Sequence, residues 1–183
     1  LFVVVCVFCV REKKIKKIRK KYVMTCFRPV RRQDRLLDAA ATEQLLTDGE
    51  YGFLALCSPE GYGYGVPLSY VYCPARQCLY FHCAPEGHKL DAAEHNDRAS
   101  FCVVGATRVR PYTTEYESAH LFGRIELVRD DTERREALVL LRDKYNPELA
   151  YMTDDPYIRG SFGRTAVLRL RIEHLSGKAK RHG

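Results

Sequence analysis

The run Tyr64-Gly-Val-Pro-Leu-Ser-Tyr-Val-Tyr-Cys73, the spacer Pro74-Ala-Arg-Gln77 and the run Cys78-Leu-Tyr-Phe-His-Cys83 decide the fold class. Both runs are rich in Tyr, Val, Leu and Phe, residues that suit a pleated, half-buried surface, and the short Pro-containing spacer reads as a hairpin turn. Upstream, Tyr51 to Ser58 has the same character and is set off by Pro59-Glu-Gly-Tyr-Gly63, so the meander extends backwards. Downstream, Ala84-Pro-Glu-Gly87 breaks the sheet, His88 to His95 has the composition of a short helix, and Ala99 to Gly105 returns to strand. From Thr113 to Val128, Leu121, Gly123, Ile125 and Leu127 alternate with Phe122, Arg124, Glu126 and Val128, a run long enough to predict a strand bent around a barrel. A last strand is predicted from Thr165 to Leu175, with Ala166, Leu168, Leu170 and Ile172 on one face. Helices are predicted over Ala39 to Asp48, ended by Gly49, and over Asp131 to Tyr145, stopped by Asn146-Pro147. Residues 147 to 163 carry no clear period. The expected fold is mainly β with helices: a mostly antiparallel β-barrel with flanking helices, in one domain over residues 24–183.

The charge pattern separates this domain from what precedes it. Of 30 basic and 23 acidic residues, eight basic ones (Arg11, Lys13, Lys14, Lys16, Lys17, Arg19, Lys20, Lys21) and only Glu12 fall in residues 1–23. The remainder carries 22 of each sign, so the charge balance of the body gives no reason to expect a nucleic-acid partner. The opening Leu-Phe-Val-Val-Val-Cys-Val-Phe-Cys-Val is too short to span a bilayer, and its order, apolar then basic, reverses that of a secretory signal. Residues 1–23 are expected to be a leader outside the fold, either an over-extended start or an amphiphilic membrane-surface segment. No membrane association is expected without that segment.

Eight cysteines stand at 6, 9, 26, 57, 73, 78, 83 and 102. A domain of this size buries a sufficient core without staples, and Cys57, Cys83 and Cys102 lie in apolar runs, so a reducing, cytoplasmic setting is expected. Cys73 and Cys78 flank the hairpin turn and could pair across it. Zinc is not expected, because no second Cys or His pair has ligand spacing.

The chain has no Walker loop, no GxGxxG after a strand, no HExxH and no GxSxG. One constellation remains: Gly65 to Tyr70 on the second strand, and Tyr80 to Lys89 running from the third strand into a helix start. Gly87-His88-Lys89 would bring free backbone N–H groups and an ammonium together, which suits a phosphate, and equally fits a loop before a solvated helix. His82 reads either as a site residue or as a strand histidine packed beside Tyr80 or Tyr70. His88 reads as a solvated helix-start residue, His95 and His120 as surface or interface residues and His174 as part of the last strand, while Tyr62, Tyr64, Tyr70 and Tyr72 read as strand packing ahead of substrate stacking.

In order along the chain, Arg31-Arg-Gln-Asp-Arg35, Val66-Pro-Leu-Ser-Tyr-Val-Tyr72, Tyr80-Phe-His-Cys-Ala84, Gly87-His-Lys89, Ser100-Phe-Cys-Val103, Tyr116-Glu-Ser118, Phe122-Gly123, Leu141-Arg-Asp-Lys-Tyr145 and Ile172-Glu-His-Leu-Ser-Gly-Lys178 form a set. That set resembles the pyridoxamine 5'-phosphate oxidase-like FMN-binding split barrels, and within them the nitroimidazole-resistance (Nim) subgroup. The resemblance implies a homodimer with FMN at the interface. Lys89 would pair with the FMN phosphate, with Arg98 a second anion partner. Pro67, Leu68 and Ser69 would lie along the isoalloxazine, and His82 and Cys83 would flank it. Asn96 and Ser118 would complete the site, Ser118 from the same chain or its partner. His82 is the candidate catalytic or substrate-orienting residue. The implied activity is an FMN-dependent oxidoreductase that moves electrons from a small donor to a small acceptor such as a nitro-aromatic compound. A flavin- or haem-binding module without turnover, or a deazaflavin protein, is the alternative. Vitamin B6 oxidation is not expected, since the chain has no Trp and ends soon after Lys178.

Overall fold

The computed structural model describes residues 27–181, and the unit Arg32–Gly183 holds every element named below. The expected leader at residues 1–23 lies outside the described residues.

Seven strands form one antiparallel sheet in the order β2-β1-β5-β6-β7-β4-β3. They are β1 (Tyr51–Cys57), β2 (Gly63–Ser69), β3 (Val71–Cys73), β4 (Cys78–Cys83), β5 (Arg98–Arg110), β6 (Thr113–Leu127) and β7 (Ala166–Lys180). The two ends of that order, β2 and β3, are consecutive in the chain and separated only by Tyr70. The sheet must therefore curl until its edges meet there, which makes it a split barrel.

The single strand expected over residues 64–73 is thus two. Its first half pairs with β1 and its second with β4, and the Tyr70 backbone between them leaves the ladder. The Tyr145 hydroxyl accepts from Tyr70 N at 2.9 Å and faces the carbonyls of Tyr70 and Glu50, one of which takes its proton. A side chain 75 residues away satisfies the groups that a neighbouring strand would otherwise hold.

Alternation places Leu54, Leu56, Tyr72, Leu79, Phe81, Phe101, Leu121, Ile125, Leu168 and Leu170 inside the barrel. Leu127, assigned to that face by its period, lies at the strand end and is partly exposed, while Val128 is buried among the side chains that face helix α3. Two strands outrun their sequence signals. β5 continues past Gly105 because its ladder with β6 runs to Arg110↔Thr113, and β7 continues past Leu175 because Ser176 to Lys180 pair with His120 to Tyr116.

Four helices pack around this barrel: α1 (Ala39–Asp48), α2 (His88–His95), α3 (Asp131–Tyr145) and α4 (Pro156–Ser161). Asp38 caps α1 by accepting from Ala41 N at 2.7 Å, and Asp130 caps α3 by accepting from Glu133 N at 2.7 Å. α1 lies over β6 and β7 and inserts Leu46 into the core, where the Leu46 carbonyl accepts from the Tyr70 hydroxyl at 2.6 Å. α3 covers the outer face of β3, β4 and β7, burying Ala137, Leu138 and Leu141 against Val71, Cys78, Tyr80 and Val167. Cys73 and Cys78 face each other in register as free thiols. Among the described residues no helix is long and apolar enough to cross a membrane.

Candidate functional site

Along β4 the side chains alternate. Leu79 and Phe81 enter the barrel, while Cys78 and Tyr80 lie under α3. His82 continues the outward series but falls beyond the helix, so it is exposed, and its side chain makes no hydrogen bond among the described residues. It opens into a cavity of about 1030 Å³ bounded by β4, α3 and α4, whose lining also includes Ser69 from the end of β2 and Cys83. Three of the residues singled out in the sequence therefore meet at one place. The rest of the lining is mostly apolar, with Leu138, Leu141, Leu149 and Met152 among it.

The other sequence candidates are distributed around this point. Lys89 is the second residue of α2 and half-exposed, at the end of the loop that leaves β4. Desolvation pushes the Cys83 thiol up, and the nearby Lys89 ammonium opposes that shift, so the two groups share an electrostatic environment. Pro67 points outward on β2 beside Ser69, and Leu68 packs against the barrel core. Asn96 and Arg98 stand beyond the far end of α2, roughly 10 Å along its axis from Lys89, and the Asn96 side-chain oxygen accepts from Arg98 N at 3.1 Å. Ser118 sits on the outer face of β6, opposite Val104 and Lys178. In the sheet order β6 is three strands from β2, which puts Ser118 roughly 14 Å from Ser69 at ordinary strand spacing. Within one chain, then, Lys89 and Arg98 are apart and Ser118 does not reach the others. Among the described residues no group of three or more His, Cys, Asp or Glu could hold a metal ion.

The cavity wall formed by residues 147–163 carried no sequence period. A short turn (Pro147–Leu149), α4 and a second turn (Phe162–Arg164) build it. Asp155-Pro156 was the available signal, an N-cap followed by proline in the first helical turn, and the Asp155 carboxylate does accept from Tyr157 N at 2.8 Å. Arg142 ties this wall to α3. Its guanidinium donates to Met152 O at 3.1 Å and to Asp143, and stands 3.4 Å from Asp155.

The neighbouring Lys144-Tyr145 pair fixes the other side. Lys144 Nζ donates to Gly49 O at 2.6 Å and sits 3.9 Å above the Tyr70 ring. Burial brings its pKa down to about 8 from 10.5, with Asp48 opposing. The unfolded chain keeps the ordinary value and so binds more protons above pH 8, which means stability rises with pH in that range. From about pH 8 the Cys78, Cys83 and Cys102 thiols, all pushed up by desolvation, oppose that rise, because the unfolded chain gives up their protons first; the Tyr70 and Tyr80 phenols join them at higher pH. Urea unfolding between about pH 7 and pH 9 is expected to give stability a more positive slope against pH in the native protein than in Lys144→Met, since the thiols are common to both. Equal slopes in the two proteins would contradict this assignment.

Residues 38–179 match the family described as pyridoxamine 5'-phosphate oxidase. No curated protein matches the chain. Among solved structures, the chain is similar to a 5-nitroimidazole antibiotic resistance protein of Bacteroides thetaiotaomicron, at 22% identity over 79% of this chain and 86% of that one, with a TM-score of 0.66. It is also similar to an FAD-binding protein of Mesorhizobium loti, at 25% identity over 80% and 98% of the two chains and a TM-score of 0.59. The flavocytochrome Anf3 of Azotobacter vinelandii matches at 21% identity over 84% and 73%, with a TM-score of 0.68.

Proposed function

The chain belongs to the pyridoxamine 5'-phosphate oxidase family, and from that premise we propose that it is an FMN-dependent oxidoreductase that passes electrons from a reduced nicotinamide cofactor or another donor to a small acceptor such as a nitro-aromatic compound. The observation that carries the reading is the meeting of Ser69, His82 and Cys83 at a large, mostly apolar cavity, with Lys89 at a helix start close by. The description of the Mesorhizobium loti protein as FAD-binding supports a flavin as the ligand class.

The residues present fit such a group. Gly87 precedes α2 with a φ of +124°, a conformation that favours glycine, and no atom comes within 4 Å of where its Cβ would stand. That leaves an open cradle beside the first N–H groups of α2, where Lys89 would hold the phosphate by a charge-assisted contact. Pro67, Leu68 and Ser69 would meet the polar edge of the ring system through their backbone. His82 would orient the acceptor or hand it a proton. The flavin, when bound, supplies the redox chemistry.

A homodimer completes the proposal. The outer sheet face carries Tyr51, Phe53 and Val104, each about half exposed (54%, 47% and 53%), in an apolar patch that asks for a cover. Ser118 and Arg98 lie on or beside the same face, so a partner seated there would bring its own Ser118 toward the flavin.

Sedimentation of the purified protein with added FMN, followed at the flavin's visible absorption, tests both parts at once. Flavin travelling with a dimer is the expected result. Lys89→Ala is expected to weaken FMN binding by roughly ten- to a hundred-fold, the weight of one charge-assisted contact. Unchanged affinity in that variant would remove the phosphate assignment. Bound flavin with no oxidation of reduced nicotinamide, whatever acceptor is added, would recast the protein as a flavin-binding module, and a haem band would recast His82 or His174 as a candidate iron ligand.

A further inference from the structure

Resting on the reading that β4 carries the flavin-facing residues, we propose that the cavity between β4, α3 and α4 selects a flat aromatic molecule bearing one negative charge, and that Arg164 meets that charge. Three ionised side chains line the cavity: Arg142, Asp155 and Arg164. Arg142 is held by two carboxylates, Asp155 and, outside the lining, Asp143. The Arg142 and Asp155 side chains are 6% and 8% exposed and 3.4 Å apart, and both are fully engaged, Arg142 with Met152 O and Asp143, Asp155 with the first N–H groups of α4.

Arg164 differs on each count. It sits in the turn Phe162–Arg164 on the cavity wall and is exposed. Among the described residues its side chain makes no ion pair and no hydrogen bond. Arg164 is therefore the cation of the lining that has no carboxylate partner among the described residues, and its planar group carries paired donors that match a carboxylate.

The rest of the lining sets the shape and polarity of the occupant. Leu138, Leu141, Leu149 and Met152 provide apolar surface, and Tyr145 and Tyr157 provide aromatic faces. Mostly apolar walls with a few convergent polar groups are the usual make-up of a small-molecule pocket, and about 1030 Å³ accommodates one aromatic ring system with room to spare. An aromatic carboxylate satisfies the whole lining, whereas a neutral aromatic leaves Arg164 without a partner.

Calorimetric titration of the full chain with 4-nitrobenzoate and with nitrobenzene tests this. The native protein is expected to bind the carboxylate a few-fold more tightly than the neutral compound, up to about five-fold, the range of an ion pair on an exposed guanidinium. Arg164→Met is expected to remove the preference and Arg164→Lys to keep part of it. Arg164 is exposed, so neither variant removes a contact on which the fold depends. Equal affinities in the native protein, or a preference that survives in Arg164→Met, would overturn the proposal. So would loss of 4-nitrobenzoate binding on saturation with FMN, which would make the cavity the flavin's own site. Flavin uptake is read separately in the same samples. Selective 4-nitrobenzoate binding without FMN uptake would keep the pocket and remove the oxidoreductase reading.

Discussion

Gly123→Val is expected to leave the chain without a cooperative folding transition. Gly123 lies on β6 where the pairing with β7 shifts register, from Phe122↔His174 to Gly123↔Ile172, leaving Glu173 as the extra residue of a bulge. There the two backbones approach so closely that a Cβ on residue 123 would run into the Arg171 carbonyl. The obstacle is backbone of the neighbouring strand, which no rotamer change relieves. A β-branched side chain at this point must either break the central β6–β7 ladder or push the bulge apart. The cost, about 4 kcal/mol or more, is a large part of a typical domain's net stability. Circular dichroism during thermal unfolding checks the outcome. A variant that melts within a few degrees of the native protein would mean that the bulge is plastic and that the curl of the sheet is set elsewhere.

His82→Ala is expected to do the opposite, sparing the fold and lowering turnover. The native imidazole is exposed and makes no hydrogen bond among the described residues, so its removal should change stability by no more than about 0.5 kcal/mol. At the cavity it stands where an acceptor would lie, beside Ser69 and Cys83. If His82 protonates or orients that acceptor, reduction of a nitro-aromatic compound by reduced nicotinamide should fall by about 10² or more, within the range for general acid catalysis. FMN affinity should stay within a few-fold. Steady-state rates with FMN saturating separate the two effects. A rate within a few-fold of the native value would make His82 an ordinary surface residue of β4.

These two residues show how unevenly the structure was legible in the sequence. His82 could be picked out because its neighbours, Tyr80-Phe-His-Cys-Ala84 and Gly87-His-Lys89, form a dense local cluster of strand, turn and helix-start signals. Gly123 showed only as one member of an alternating run, since the atom that makes it necessary, the Arg171 carbonyl, is 48 residues away. Tyr145 carries a helical period, yet its hydroxyl works on the backbone of Tyr70 and Glu50, 75 and 95 residues away in the chain. Asp155 lies within the segment that has no period, and Arg164 just after it, because the backbone there is two turns and a six-residue helix, too short for repetition to register.

What the sequence determined by itself is whatever depends on near neighbours in the chain. The bounds of α1, α2, α3 and β4 follow from caps, breakers and alternation within a few residues, and they match the structure. The order of strands and turns restricted the architecture to a mostly antiparallel barrel. The tertiary structure alone decided the kink at Tyr70, the lengths of β5 and β7, the bulge at Gly123 and the wall that turns the end of β4 into a cavity. Each of these depends on a hydrogen bond, a steric limit or a charge pairing between groups distant in the chain. Such partners exist only once the sheet has closed, and a local pattern of residues carries no record of them.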